Sequence, residues 1–224
     1  MDSQTAAEFH LTLMGGHSGV YRTYCHIAQT LHWKEMKKRV TDFVVVCPIC
    51  QQSKYLASHP QGLLQPLPIP EAVWEEVSMD FKIKLPKSNG FDAIMVVVDR
   101  LSKYGHFIPL KNPYLARVVA ENFMKEVVRL HGIPDAIVSD RDSTFMSLFW
   151  KELFKLQGTI LKMSNAYHPK SDGQTEVLNR ILETYLCCFC SEQPKGWIIV
   201  IGVEYWYNTT YQGAANCTPF EVVY

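Results

Sequence analysis

The chain has 224 residues, which suffices for one core of roughly 150 residues and a smaller unit. Hydrophobic residues make up 47% and charged residues 20%, as in soluble globular proteins, and the formal net charge of zero gives no overall attraction for nucleic acid. The longest apolar runs, Phe43–Cys47 and Trp197–Val203, are far shorter than the ~20 residues of a membrane span, and the sequence predicts no secretory signal.

The first 55 residues predict a small helical unit. An early helix is expected to begin near Ser18, which is a suitable N-cap residue. A later helix is indicated by apolar residues at helical spacing, namely Trp33, Met36, Val40, Phe43 and Val44. Residues 56–73 follow as a proline-rich linker, because prolines 60, 66, 68 and 70 fix φ and disfavour helix in the residues before them.

Residues 74–224 predict a larger unit in which strands and helices alternate. The predicted strands are Ser78–Leu85, Ala93–Asp99, Ala136–Ser139 and Thr159–Met163. The predicted helices are Ala116–Leu130, Leu148–Leu156 and about Gly173–Cys190. Because Ala93–Asp99 is almost wholly apolar, we expect it to be a central strand. The order of elements predicts a mixed α/β layer fold.

Two histidines and a CxxC pair lie in the small unit: His10, His17, Cys47 and Cys50. Structural zinc takes four nitrogen or sulfur ligands. A unit this short has too small a core to fold on its own, and metal binding can supply the missing folding free energy, on the order of 10 kcal/mol. A redox motif is the alternative for the cysteine pair. All seven cysteines, at 25, 47, 50, 187, 188, 190 and 217, are spaced too unevenly for a disulfide framework, which indicates a reducing compartment.

Three carboxylates in the large unit form a candidate catalytic set. Asp80 lies in a predicted strand, Asp140 follows another strand, and Glu176 comes after thirty-five further residues. Brought together, they would repel one another unless divalent cations were present, and oxygen-only ligands suit Mg²⁺ or Mn²⁺. Taken singly, Asp80 could pair with a surface lysine and Glu176 could complement a helix dipole. Asp92 and Asp99, which flank a strand, are interpreted as turn residues.

The joint pattern resembles the integrase of plant Ty3/gypsy-type LTR retrotransposons. The resemblance rests on HxxxxxxH with CxxC, on the D,D(35)E spacing and on the blocks GGHSGVYRTY, SMDF, VVVDRLSKYGHFIPL, IVSDRD, AYHPKSDGQTEVLNR, WYNTT and TPFEVVY. It covers nearly the whole chain. The blocks near both ends and those around the acids all belong to the same family pattern.

The resemblance implies an N-terminal HHCC zinc domain followed by an RNase H-like catalytic core. It implies processing of the element's DNA ends and strand transfer into target DNA, with two Mg²⁺ ions held by Asp80, Asp140 and Glu176. By position, the zinc ligands are His10, His17, Cys47 and Cys50. The family also implies oligomers on LTR ends and target DNA, with action in the nucleus.

The helix after Glu176 predicts a surface that faces DNA. Its apolar stripe comprises Val177, Leu178, Ile181, Leu182, Tyr185, Leu186 and Phe189. Asn179 and Arg180 lie on the opposite face, beside the acid, where they could contact phosphates. A solvated face is the alternative interpretation. Further candidates for DNA contact precede the helix: Tyr167, His168 and Lys170.

Several features depart from the family pattern. Lys82, Lys84 and Gln212 replace the residues typical of the family, and residues 197–204 are unusually aliphatic. The chain stops where the core ends, so we expect a polyprotein fragment that lacks the family's C-terminal DNA-binding domain. Two alternatives to an active integrase therefore stay open. One is a catalytically inactive DNA-binding or scaffolding protein derived from an integrase, and the other is an RNase H-type nuclease.

Overall fold

The computed structural model describes residues 2–53, 69–139, 158–163, 173–190, 195–197, 202–213 and 215–224. These residues belong to two compact units. The sheet unit comprises residues 60–180 and Val223, and the helical unit comprises residues 1–59 and 181–222 with Tyr224. The predicted helix Leu148–Leu156 and most of the predicted linker lie outside the described residues.

Five strands form one mixed sheet in the sheet unit. They are β1 (Glu76–Lys82), β2 (Ala93–Asp99), β3 (Gly105–Leu110), β4 (Ala136–Ser139) and β5 (Ile160–Met163), in the order β3-β2-β1-β4-β5. Strand β2 is antiparallel to both of its neighbours, whereas β4 is parallel to β1 and to β5. The predicted mixed α/β fold is confirmed.

Strand β2 lies inside the sheet between β3 and β1, and every one of its side chains is buried. A continuous apolar strand of this kind satisfies its backbone through both neighbours and needs cover on both faces. The strand β3 was not predicted from the sequence. Its GHFIPL segment contains Pro109, and a proline is tolerated because β3 lies at the edge of the sheet.

One long helical segment packs on this sheet. It comprises α5 (Ala116–Phe123), a π-helical turn (Met124–Val128) and α6 (Arg129–His131). The predicted inward positions are confirmed, since Val119, Phe123 and Val127 are fully buried in the same core as the β2 side chains. The segment ends at Gly132, whose φ of 87° lies in the region that favours glycine.

Four short helices form the N-terminal part of the helical unit: α1 (Asp2–Leu11), α2 (Val20–Ala28), α3 (Met36–Val45) and α4 (Pro48–Ser53). Of the predicted stripe, Met36, Val40 and Val44 are buried on α3 in a small core with Ile27. The other two members, Phe43 and Trp33, are partly buried against this core, and Trp33 precedes the helix. The prediction that Ser18 caps a helix is wrong. Helix α2 has Gly19 as its N-cap, and the Ser18 hydroxyl instead donates to the carbonyl of Gly15 at 2.8 Å.

Three further helices follow: α7 (Gly173–Cys190), α8 (Gly202–Thr209) and α9 (Pro219–Val223). Most of the predicted stripe on α7 faces inward, since Leu178, Leu182 and Tyr185 are at most 1% exposed. Val177, which was assigned to that stripe, is 55% exposed. It lies at the border of the stripe, where a small rotation of the helix determines whether a side chain is buried or exposed. Among the described residues, no helix is both long and apolar enough to span a bilayer.

Candidate zinc site and candidate catalytic site

The four predicted zinc ligands lie together in the helical unit. The ligand atoms of His10, His17, Cys47 and Cys50 all lie within 4.8 Å of one another, and the four residues are buried. No disulfide bond joins any of the seven cysteines. A buried group of two imidazoles and two thiols fits structural zinc better than it fits a redox pair, because such zinc sites are closed to solvent and use this donor set.

The distances between these atoms match a tetrahedral zinc site. Cys50 Sγ lies 3.4 Å from His10 Nε2 and 3.7 Å from His17 Nδ1, and Cys47 Sγ lies 3.6 Å from His17 Nδ1. With Zn–S near 2.3 Å and Zn–N near 2.05 Å, a tetrahedron requires sulfur–nitrogen edges of about 3.6 Å. The residues present therefore fit the metal.

Local backbone structure places three of the four predicted zinc ligands. His10 lies in the last turn of α1, and Cys47 and Cys50 flank the start of α4. The second ring nitrogen of His10, Nδ1, lies 3.5 Å from the hydroxyl of Thr23 in α2. Such a partner orients a histidine ligand, and Thr23 is 1% exposed. Sequence reasoning missed Thr23, since nothing in its spacing distinguishes it from a core residue.

Asp80 lies on β1 in the middle of the sheet, opposite Val96 of β2. Its side chain is half-buried, and Oδ1 accepts a hydrogen bond from the backbone N–H of Phe81 at 2.7 Å. Its other oxygen, Oδ2, accepts from Asn179 Nδ2 at 2.5 Å. Both carboxylate oxygens are thus held in place by neighbouring donors.

Asn179 brings helix α7 to the strand that carries Asp80. Its Nδ2 donates to Asp80, while its Oδ1 is buried and has no hydrogen-bond partner among the described residues. A buried amide oxygen without a partner is costly, and it is a suitable ligand or acceptor for a cation or water beside the carboxylate. Glu176 lies one turn before Asn179 on the same helix.

Strand β4 ends beside the position of Asp80. Ser139, the residue before Asp140, pairs with Met79, the residue before Asp80. Asp140 and the candidate DNA contacts Tyr167, His168 and Lys170 lie outside the described residues, as does the side chain of Glu176. The structure therefore describes one member of the predicted triad with its side chain. The helix that carries Glu176 and the strand that precedes Asp140 are also described.

The departures from the family pattern have defined positions. Lys82 is half-buried at the end of β1, and Lys84 is exposed with a left-handed φ of 64°. Gln212 accepts through Oε1 from Arg22 Nη2 at 3.1 Å, so it joins α2 to the segment after α8. Arg180 is exposed on α7.

Residues 3–55 match the family described as Integrase zinc binding domain. The chain is also 37% identical over 209 residues to the transposon Tf2-3 and Tf2-4 polyproteins of the fission yeast Schizosaccharomyces pombe. This similarity covers 93% of the chain but 16% of each polyprotein. The relatives do not test the plant origin, which stays a prediction.

Solved integrases share the fold. A chain of the simian T-cell lymphotropic virus intasome, solved in complex with the PP2A regulatory subunit B56 gamma, has a TM-score of 0.59 at 16% identity. The match covers 94% of the present chain and 74% of that one. The HTLV-2 integrase catalytic core domain in complex with magnesium, in its trimeric form, has a TM-score of 0.53 at 17% identity, covering 67% of this chain and 96% of that one.

These findings agree with one another along the chain. The match to the zinc-binding domain at residues 3–55 contains the four clustered candidate ligands, and the five-stranded sheet follows it. The sequence similarity extends over both parts. The chain therefore belongs to the integrase family of LTR retrotransposons.

Proposed function

We propose that this chain is the part of a retrotransposon polyprotein that processes the 3′ ends of the element's DNA and transfers them into target DNA. The activity is that of a metal-dependent polynucleotidyl transferase of the D,D,E type. Because the chain spans 16% of the length of its polyprotein relatives, this activity is inferred for the integrase segment alone. The proposed domain division is a zinc-binding domain at residues 1–55, a linker at 56–73 and a catalytic core from residue 74.

The hydrogen bond from Asn179 to Asp80 is the observation that supports this proposal most strongly. It joins the central strand that carries the first acid to the helix that carries Glu176, and the pairing of Met79 with Ser139 brings in the strand that precedes Asp140. Three carboxylates brought together there would repel one another unless cations neutralised their charge. The amide oxygen of Asn179 would add an uncharged oxygen ligand for such a cation.

Asp80, Asp140 and Glu176 would hold the divalent ions. When bound, Mg²⁺ or Mn²⁺ stabilises the charge that develops on phosphate oxygens during phosphoryl transfer. The protein's own contribution is to fix the carboxylates on rigid elements before DNA arrives. The two hydrogen bonds to Asp80 accomplish this for the first acid. The HTLV-2 core domain of the same fold was solved with magnesium.

DNA is the proposed partner on the face of α7 that carries Asn179. Arg180 is exposed there, one residue after Asn179, and a guanidinium binds phosphate in a bidentate way. Tyr167, His168 and Lys170, which precede the helix in sequence, are proposed to contact the element's DNA ends. The related structures include an intasome and dimeric and trimeric core domains, which supports the proposal of a homo-oligomer on DNA. Action in the nucleus is proposed because the target DNA is chromosomal.

A strand-transfer assay tests the proposed activity. The purified chain is incubated with LTR-end oligonucleotides and target DNA in Mg²⁺ or Mn²⁺, and the joined products are measured. We expect joined products from the unmodified chain and their loss in Asp140→Asn and Asp80→Asn. The variant Asp92→Asn is the matched control, since the Asp92 carboxylate accepts from the backbone of Asn112 at a turn.

The outcome separates the proposed enzyme from its alternative. An inactive DNA-binding or scaffolding protein would bind LTR-end DNA, with Zn²⁺ retained, and would yield no joined products with either metal. A nuclease would cleave DNA without joining it to a target. Either pattern would contradict the proposed transferase.

A further inference from the structure

The loop between the two histidine ligands is tightly folded. We name residues 12–18 the histidine loop. Its backbone closes through Gly16 N–H to Thr12 O at 2.9 Å and Ser18 N–H to Gly15 O at 3.1 Å. Gly16 and His17 have left-handed φ values of 60° and 48°. A histidine adopts such a conformation only when its surroundings hold it there.

Two side chains from distant parts of the sequence bind the carbonyl groups of this loop. Tyr185 on α7 donates its hydroxyl to Leu13 O at 2.9 Å. Trp206 on α8 directs its indole N–H to Gly15 O and to Ser18 Oγ, both at 3.2 Å. All of these residues belong to the helical unit.

Aromatic packing reinforces these hydrogen bonds. The ring of the zinc ligand His17 lies 5.2 Å from that of Phe189, and the Tyr185 ring lies 4.8 Å from Phe189 and 4.7 Å from Trp206. The Trp206 indole also lies directly against Gly16, so that no side chain could fit there. Tyr185, Trp206 and His17 are 1%, 5% and 2% exposed.

The Tyr185 hydroxyl stays protonated in this setting. Burial raises the pKa of its phenol well above the ordinary value, with a smaller contribution from Cys190. It is therefore a hydrogen-bond donor to the Leu13 carbonyl throughout the pH range in which the zinc ligands bind metal.

We propose that Tyr185 and Trp206 are positioning residues of the zinc site. They hold the carbonyls of the histidine loop so that His17 Nδ1 faces Cys47 and Cys50. Zinc affinity then depends on helices α7 and α8, which lie far from the ligands in sequence. Because such coupling is reciprocal, zinc must in turn stabilise these helices. The inference rests on the zinc site and not on the proposed phosphoryl transfer.

Zinc affinity in three variants of the full chain tests the inference. Tyr185→Phe removes the hydroxyl and Trp206→Phe removes the indole N–H, while an aromatic ring remains at each position. Tyr205→Phe is the control, because Tyr205 lies on the same helix as Trp206 and is 56% exposed. In competition with a chromophoric chelator, we expect about a 10-fold loss of zinc affinity in each test variant, the typical effect of removing a partner beyond the ligands. The control should bind zinc as the unmodified chain does.

Hydrogen exchange measures the reverse direction of the coupling. We expect amides of α8 to exchange more slowly in the zinc-loaded chain than after chelation, and Cys47→Ser to exchange as the chelated chain does. Should Trp206→Phe not fold, as judged by circular dichroism, Tyr185→Phe decides the question. Zinc affinities within twofold of the unmodified chain, or exchange in α8 that is independent of zinc, would overturn the inference. Asp140→Asn, which abolishes the proposed transfer, should leave both measurements unchanged.

Discussion

Asn179 and Asp80 are hydrogen-bonded across ninety-nine residues of sequence, from the Nδ2 atom of a helical amide to the Oδ2 atom of a carboxylate on the central strand, at 2.5 Å. This bond directs the Asn179 side chain of α7 towards the strand β1. Within the sheet unit it joins the strand that carries Asp80 to the helix that carries Glu176.

Replacing Asn179 by alanine removes the donor to Asp80. We expect strand transfer to fall by about 10- to 100-fold, because the carboxylate loses a partner that orients it. We also expect the Mg²⁺ concentration required for half-maximal activity to rise. The measurement is the strand-transfer rate as a function of Mg²⁺ concentration. A matched Val177→Ala variant, at an exposed position of the same helix, should retain its rate.

Arg180 is predicted to contact a DNA phosphate. The Arg180→Ala variant should keep its fold and bind DNA more weakly, by roughly 10-fold at moderate salt. The slope of log affinity against log salt concentration should decrease by about 1. Fluorescence anisotropy over a series of salt concentrations provides the measurement. Arg117→Ala is the control, since Arg117 is exposed on α5 and pairs with Glu121. Unchanged affinity in Arg180→Ala would contradict the predicted contact.

Gly16 is required by both its backbone and its surroundings. In Gly16→Ala the new methyl group would overlap the Trp206 indole, at a φ of 60° that alanine disfavours. We expect the free energy of unfolding to fall by at least about 2 kcal/mol. Gly19→Ala should cost less than about 1 kcal/mol, because Gly19 has a φ of −66° and open space around it. Denaturant unfolding of the two zinc-loaded variants provides the comparison.

His26 is expected to make stability depend on pH. The half-buried ring packs edge-on against Phe9 at 5.0 Å, and burial lowers the pKa of His26 below its unfolded value of about 6.5. The unfolded chain therefore binds the proton more readily than the folded chain does. The stabilisation is present above pH 6.5 and is lost as the pH falls below it.

The comparison with His26→Gln isolates this contribution. In excess zinc, the free energy of unfolding of the unmodified chain, minus that of the variant, should rise between pH 5.5 and pH 7.5. Protonation of the zinc ligands affects both proteins equally and cancels in the difference. A difference that is constant with pH would contradict the predicted titration.

The sequence was most informative where a residue type is tied to one chemistry. The spacing of His10, His17, Cys47 and Cys50 predicted a cluster that the structure confirms, because few other roles require two imidazoles and two thiols together. Asp99 likewise serves a turn, as predicted, because it is the last residue of β2 and its side chain binds the turn that follows. Its carboxylate is fully buried and accepts hydrogen bonds from the backbone N–H of Trp74 and of Ser102.

Local sequence patterns were least informative where tertiary contacts determine the role of a residue. Ser18 has the side chain of an N-cap, but its hydroxyl is engaged by the Gly15 carbonyl and the Trp206 indole. The edge strand β3 was not predicted because it contains a glycine and a proline, which are unusual in strands and interrupt the alternation of apolar residues. The contact from Asn179 to Asp80 depends on how α7 packs, and no spacing rule predicts it.

Pro109 affects how copies of this chain can associate. Leu110 accepts a hydrogen bond from Asp92 N–H, so the backbone groups of Leu110 point towards β2. The backbone N–H and C=O groups of successive residues in a strand point in alternating directions. The ring nitrogen of Pro109 therefore faces away from β2, towards the edge of the sheet, and it has no hydrogen to donate. A strand from a second copy that paired with β3 would find no backbone donor at this position. If copies assemble on DNA as proposed, we expect them to meet through side-chain surfaces rather than by extending this edge of the sheet.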